Sequence, residues 1–289
     1  MLGRTSSHES LPQQAKRLLH AMDARAKKSL GQHFLVDSGV LRKIVAAAEL
    51  SSHDIVVEVG PGLGVLTAEL VCHAGQVIAV ELDDNLASML QNTFAECGNL
   101  RIIHDDILRQ PPSELLRHSG NRYKVVANLP YYITSAVMRH FLESENQPEL
   151  MVVMVQREVA RVITATPGDM SLLSVAVQLY GKPHKVCNVP SGSFYPPPKV
   201  DSVVLRVNVH AQPIIPLAAA PSFFSLARAG FCANRKQLSN SLAQGLNRPK
   251  EDVIPLLEAA DIEPRRRAET LGMTEWVRLW NVFCDRGVL

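Results

Sequence analysis

A short apolar run that ends in a glycine-rich turn and passes straight into a helical pattern constrains this 289-residue chain more than any other stretch. Ile55-Val56-Val57-Glu58-Val59 is β-branched and largely apolar on both faces, as a buried parallel strand requires. Gly60-Pro61-Gly62-Leu63-Gly64 follows, and Val65 to Cys72 then reads as a helix. Comparable runs recur with helical segments between them at Gln76 to Val80, Leu100 to Ile103, Tyr123 to Ala127 and Leu150 to Val155. Strands alternating with helices predict right-handed crossovers and an α/β domain on a mainly parallel sheet. Lys185 to Val189 and Ser202 to Val209 have no helix between them, which predicts a terminal hairpin. Pro213, Pro216 and Pro221 mark residues 210 to 221 as a linker, beyond which the pattern is helical throughout. There Trp276, Leu279, Trp280 and Phe283 have the spacing of one buried helical stripe. The expected division is a basic, disordered tail over 1–26, an α/β domain over 27–211 and a helical domain over 212–289.

The glycine turn does not meet the G-x-G-x-x-G dinucleotide fingerprint, whose last glycine would fall at Val65. Its G-x-G-x-G spacing, stiffened by Pro61, suits a ligand without a pyrophosphate, as in S-adenosylmethionine enzymes. Glu81 ends the second strand, where a carboxylate can accept hydrogen bonds from both hydroxyls of a ribose. Asp106, after the third strand, can accept from an adenine amino group or can simply close a strand-end turn. The fourth strand ends in Asn128-Leu129-Pro130-Tyr131, and Pro130 forbids both a further ladder donor and an easy helix. An aromatic amine delocalises its lone pair into its ring, so it needs acceptors on its hydrogens before it attacks an electrophilic methyl. The Asn128 amide oxygen and the carbonyls beside Pro130 supply acceptors, and Tyr131 offers a face for stacking. In Ser193 to Val200, three prolines are expected to hold Phe194 and Tyr195 out of the core as a second platform. Residues 27 to 35 switch from basic to aromatic ahead of a helix, a pattern that suits an apolar staple or a ligand contact.

Composition bounds the function. The chain is 46% hydrophobic and 20% charged, a globular balance. Cys72, Cys97, Cys187, Cys232 and Cys284 are odd in number, widely spaced and without a C-x-x-C pair, so neither a disulfide framework nor a zinc site is expected. No apolar run reaches bilayer length and no signal peptide is evident, which points to the cytoplasm. The net charge of +2 is uneven, because residues 1–30 hold six basic and two acidic side chains and residues 212–289 ten and eight. The middle is therefore acidic between basic flanks, as expected where the flanks hold a polyanion. Arg265-Arg266-Arg267 is the densest basic run of the helical part, a candidate phosphate contact or a solvated face.

Six stretches in order resemble the KsgA family of small-subunit ribosomal RNA adenine dimethyltransferases: Gly31-Gln32-His33-Phe34-Leu35, Glu58 to Gly64, Val80-Glu81-Leu82-Asp83, Asn128-Leu129-Pro130-Tyr131, Gln156-Arg157-Glu158-Val159 and Phe194 to Ser202. Asn234-Arg235-Lys236-Gln237-Leu238 resembles the family's helical-domain signature. The resemblance implies a class I S-adenosylmethionine-dependent methyltransferase with a Rossmann-like, mainly parallel seven-stranded sheet and a small all-α, RNA-binding C-terminal domain. It also implies S-adenosyl-L-methionine as cofactor, no metal, and N6,N6-dimethylation of two adjacent adenosines in a hairpin near the 3′ end of 16S rRNA. The partner would be 16S rRNA within an immature 30S subunit, and the enzyme a monomer. By position, His33, Leu35, Gly60, Pro61, Gly62, Gly64, Glu81, Asp106 and Asn128 would hold the cofactor. Tyr131 and Phe194 would sandwich the target base, and the Leu129 and Pro130 carbonyls would meet its amine. His33 and Tyr132 stand where many members have Asn, and Met170-Ser171-Leu172 replaces a Tyr-Gly-Arg-like run. Two other functions fit related chains: a ribosome-assembly factor without turnover, and a resistance-type methyltransferase of large-subunit RNA.

Overall fold

The computed structural model describes residues 10–21, 32–117, 119–120, 122–233 and 235–289. Its strands are β1 (Phe34–Leu35), β2 (Ile55–Val59), β3 (Gln76–Glu81), β4 (Leu100–His104), β5 (Lys124–Asn128), β6 (Leu150–Gln156), β7 (Gly181–Val189), β8 (Phe194–Tyr195) and β9 (Ser202–Val209). The helices are α1 (Leu11–Ala21), α2 (Ser38–Ala48), α3 (Val65–His73), α4 (Asp84–Thr93), α5 (Pro112–Leu115), α6 (Thr134–Leu142), α7 (Arg157–Ile163), α8 (Leu172–Gln178), α9 (Ala220–Phe231), α10 (Leu238–Gly245), α11 (Lys250–Ala259) and α12 (Met273–Asp285). The expected strands β2 to β6 fall in place within a residue at either end.

Seven strands form one sheet in the order β4-β3-β2-β5-β6-β9-β7. β2 to β6 are parallel to one another, and β9 returns antiparallel to β6. Val56, Val57, Val77, Ile78, Val125, Val126 and Val152 are fully buried, which is why these strands read as unbroken apolar runs rather than alternating ones. From β2 the chain steps outward to β3 and β4, then crosses back to β5 and β6 on the other side. The order therefore reverses between β2 and β5, and the crevice beyond their carboxyl ends is where such sheets take ligands. Gly60 and Asn128 lie at those two ends.

A second, two-stranded sheet pairs β1 with β8 antiparallel, Phe34 opposite Tyr195 and Leu35 opposite Phe194. It brings the first motif against the proline loop. Phe194 is 3% exposed and belongs to the core that contains Leu35, Val40 and Ile44. The expectation that the prolines hold Phe194 out of the core is therefore corrected: strand pairing with Leu35 turns its ring inward.

The N-terminal expectation changes as well. Residues 11–21, read as part of a disordered tail, form α1, with Ala15 and Leu19 buried against Phe34, Val36, Leu63 and Leu86. Leu11, Ala15, Leu18 and Leu19 share one helical face, a short stripe hidden in a polar, basic composition. Residues 27–31 of the first motif and Asn234 of the helical signature lie outside the described residues.

The chain divides into two compact units, Met1–Ala160 with Pro183–Val209, and Arg161–Lys182 with His210–Leu289. This is not the linear division at residue 212, because α8 belongs with the helical unit. Tyr180 packs against Phe224 at 6.2 Å, and the Gly168 and Met170 N–H groups donate to the Glu269 carbonyl at 2.9 and 3.1 Å. The expected linker ends early, since Pro221 occupies the first turn of α9, where a missing N–H costs nothing. Trp276, Leu279 and Phe283 of the expected stripe are fully buried. Arg266 grips Glu275 with both terminal guanidinium nitrogens and donates to Thr270, so it braces the start of α12. No helix among the described residues is long and apolar enough to cross a membrane.

Candidate active site

The turn after β2 needs backbone that only glycine adopts cheaply: Gly60, Gly62 and Gly64 have φ of +64°, +58° and +78°. A Cβ on Gly62 would stand 3.0 Å from the Phe34 ring, and one on Gly64 would stand 2.8 Å from Leu90 and Phe94. Gly64 therefore seats α3 against α4, a packing role, and it does not line the cavity that the other expected residues share. Gly64, expected among the cofactor residues, stands beside that cavity's wall rather than in it.

Glu81 ends β3 beside that turn and is 6% exposed. Its Oε2 accepts the Gly62 N–H at 3.0 Å and its Oε1 the Asp83 N–H at 2.9 Å. Burial raises its carboxyl above the usual range, although both N–H groups oppose that shift. A carboxylate offers about four lone-pair directions, more than the backbone N–H groups around it fill, so it can still accept from a ligand hydroxyl. Behind it Glu58 is 1% exposed and accepts the Thr67 hydroxyl at 2.7 Å. Burial pushes Glu58 up to about 8, so it is a neutral acid at neutral pH and limits the charge in the pocket floor.

After β4, the Asp105 carboxylate accepts the Asp106 N–H, and Asp106 Oδ1 accepts the Leu108 N–H at 3.0 Å, closing a single 3-10 turn. The turn-closing reading of Asp106 is thus realised while Asp106 still lines the cavity. Leu82 and Leu108 line the same cavity and are 46% and 36% exposed. Sequence reasoning missed both; the available signal was a leucine one or two places beyond each candidate acid.

At the end of β5, Asn128 Nδ2 donates to the His33 carbonyl at 3.1 Å, which leaves Oδ1 as its remaining acceptor. The Leu129 side chain is buried, and its N–H donates to Met154 O at 3.2 Å, extending the β5–β6 ladder by one bond. The Pro130 carbonyl accepts from Ile133 N at 3.2 Å and Thr134 Oγ1 at 3.4 Å, so the local turn already draws on it. The Tyr131 hydroxyl meets Ser202 Oγ at 2.6 Å, and its ring stacks on His33 with centroids 5.8 Å apart. Tyr132, unassigned by the residue reading, is 56% exposed at the rim.

One cavity gathers His33, Leu35, Gly60, Pro61, Gly62, Glu81, Asp106, Asn128, Leu129, Pro130 and Tyr131. Of the expected set, Gly64 and Phe194 stand outside its wall. The residues present fit an adenosyl group joined to a charged side chain: bare glycine backbone, a buried carboxylate with spare lone pairs, and exposed leucines that an aromatic ring would cover.

A mainly parallel seven-stranded sheet whose switch point meets a G-x-G-x-G turn and a strand-end Glu has the architecture of the class I S-adenosylmethionine-dependent methyltransferases. Within that class, residues 23–279 match the family described as "Ribosomal RNA adenine dimethylase", and the chain belongs to it. It is 55% identical over 276 residues to "Ribosomal RNA small subunit methyltransferase A" of Dehalococcoides mccartyi, spanning 96% of this chain and 94% of that protein. Among solved structures it resembles a dimethyladenosine transferase from Plasmodium falciparum, with TM-score 0.78, 28% identity and 88% and 98% of the two chains covered. The 23S rRNA methyltransferase ErmE gives TM-score 0.70 and 29% identity over 86% and 98%. The family is thus the one the motifs resembled.

Proposed function

We propose that this protein dimethylates the N6 amines of two adjacent adenosines in a hairpin near the 3′ end of 16S rRNA, acting in the cytoplasm as a monomer on an immature 30S subunit. The observation that carries the reading is Asn128, whose Nδ2 is held by the His33 carbonyl so that Oδ1 is the acceptor left for an amine. The name of the 55% identical relative favours the small-subunit RNA over the large.

S-adenosylmethionine, when bound, supplies an electrophilic methyl on a sulfonium. Gly60, Pro61 and Gly62 would give it close backbone approach, Glu81 would accept from its ribose hydroxyls and Asp106 from its adenine amine, and Leu82 and Leu108 would cover that adenine. Leu35 shapes the pocket wall, and His33 acts from the clamp side. Asn128 Oδ1 and the Leu129 carbonyl, with the Pro130 carbonyl in support, would accept the hydrogens of the substrate amine and so localise its lone pair on nitrogen for attack, and the proton that each methylation displaces would leave along these acceptors to solvent. Tyr131 stacks on the target base. Preorganised acceptors and orientation account for the acceleration, and no strong general base is needed. The helical unit, with Arg228, Arg235, Lys236, Arg248, Lys250, Arg265 and Arg267, contacts RNA phosphates.

Mass spectrometry of ribosomal RNA from a strain lacking the protein, before and after complementation, tests this. Loss of two neighbouring dimethyladenosines from 16S rRNA, restored by the gene, is expected. Loss from 23S rRNA would select the resistance-type enzyme instead, and unchanged methylation of both would select an assembly factor without turnover.

A further inference from the structure

We propose that His140 and Gln110 are positioning residues of the cofactor site, tethering the 105–110 turn so that Asp106 meets the adenine amine of S-adenosylmethionine, a role that deepens the methyltransferase reading and rests on it. Asp106 and Leu108 enter the cavity from the single 3-10 turn Ile107–Arg109 that follows β4. Such a turn is weakly held by its own bonds. Here they run from the Arg109 N–H to the Asp106 carbonyl at 2.9 Å and from the Gln110 N–H to the Ile107 carbonyl at 3.2 Å. Of its three residues only Ile107 is buried, so packing does little to fix the acid beside it.

Side chains hold the turn from both ends. Asp105 Oδ1 accepts the Asp106 N–H at 2.6 Å and Asp105 Oδ2 accepts the Gln110 side-chain amide, which closes the segment on itself. The Asp105 N–H donates to the Glu81 carbonyl at 3.0 Å, tying the near end to β3. At the far end the Gln110 carbonyl lies 3.0 Å from His140 Nε2 of α6. A carbonyl can only accept, so Nε2 carries the proton and donates. Burial holds the imidazole below its ordinary range, against the pull of the Gln110 carbonyl and Asp106, so the ring is neutral. α6 is the firm partner: Val137, Met138 and Phe141 are fully buried, and Phe141 meets the His140 ring edge-on with centroids 5.2 Å apart. Neither His140 nor Gln110 lines the cofactor cavity, so their effect on a ligand runs through the turn they hold.

The test is calorimetric titration with S-adenosylhomocysteine and with S-inosylhomocysteine, which carries an oxygen in place of the adenine amine. The wild type prefers the adenosyl ligand by about tenfold or more, the worth of one hydrogen bond to a carboxylate. His140→Leu keeps bulk but no donor, and narrows that preference by roughly three- to tenfold. Single-turnover transfer at saturating S-adenosylmethionine stays within about twofold of the wild type, because the loss lies in cofactor binding. His140→Gln, whose amide reaches as far as Nε2, restores the preference. In an Asp106→Ala background, His140→Leu changes the preference no further. Equal loss of affinity for both ligands would make His140 a support of the fold and overturn the proposal. So would a glutamine variant no better than leucine, or a fall in saturated rate with the preference intact. If His140→Leu does not fold, Gln110→Ala must narrow the preference from the other end of the tether, and an unchanged preference there overturns the proposal alone. A wild type that binds both ligands alike would remove the Asp106 assignment and the tether's role with it. Failure of the wild type to transfer methyl, with the ligand preference and its loss in His140→Leu as expected, would instead sink only the enzymatic reading.

Discussion

Replacing Glu81 with alanine should do two separable things. In the free protein, the Gly62 and Asp83 N–H groups lose an acceptor they meet at 3.0 and 2.9 Å in a buried place. Hydrogen bonds to a charged partner are worth roughly 1.5 to 3 kcal/mol each, and removing a carboxylate whose burial is itself costly offsets part of that loss. A net destabilisation of about 1 to 3 kcal/mol follows, measurable by urea denaturation. In the complex, the acceptor capacity left for ribose hydroxyls vanishes. At about 1.4 kcal/mol per decade, losing even one such bond raises the dissociation constant for S-adenosylmethionine tenfold or more. Glu81→Gln separates the effects, because it preserves size and one acceptor oxygen but presents an amide to one of the two N–H groups. It should weaken binding while unfolding less readily than the alanine variant. Calorimetric titration of folded Glu81→Ala that returns an unchanged dissociation constant would refute the ribose assignment.

Glu58 makes stability depend on pH in a definite direction. Its folded-state value of about 8 lies above the ordinary 4.5, so the folded protein keeps a proton that the unfolded chain releases. Its contribution is complete below about pH 4.5 and is lost as pH rises toward 8. Glu58→Gln, which retains an acceptor for Thr67, should gain on the wild type by up to a few kcal/mol between about pH 5 and pH 8; parallel stability curves across that range would exclude the effect. In the basic run, Arg265→Ala and Arg267→Ala should weaken RNA binding and lower its salt slope by about one unit or less per phosphate contact. Arg266→Ala should instead lower the melting temperature, because its guanidinium is committed to Glu275 and Thr270. Equal effects of all three on RNA binding, with unchanged melting, would contradict that division.

What was legible in the chain was local. The valine runs announced β2 to β6, and the glycine turn and Glu81 announced one side of the site, because each depends on neighbours a few residues away. The rest is long-range. Whether Asn128 is a turn residue or an acceptor depends on a carbonyl 95 positions earlier in the chain. Phe194 looked exposed because its prolines dominate the local pattern, and only pairing with Leu35 turns it inward. Gly64 resembled Gly60 and Gly62 in spacing but answers to Leu90 and Phe94 on another helix. Likewise α8 follows strands in sequence yet packs with α9, so no linear boundary could have placed it.

The central claim is that the end of β5 presents an amide acceptor to an adenine amine during methyl transfer. It is tested most directly by single-turnover transfer to undermethylated 30S particles, with particle binding measured at the same salt, for wild type and Asn128→Ala. The account predicts that the wild type transfers, and that the variant binds particles nearly as well but reacts with a barrier about 2 to 4 kcal/mol higher, the cost of losing a preorganised polar contact. Equal loss of binding and rate in Asn128→Ala would contradict the claim.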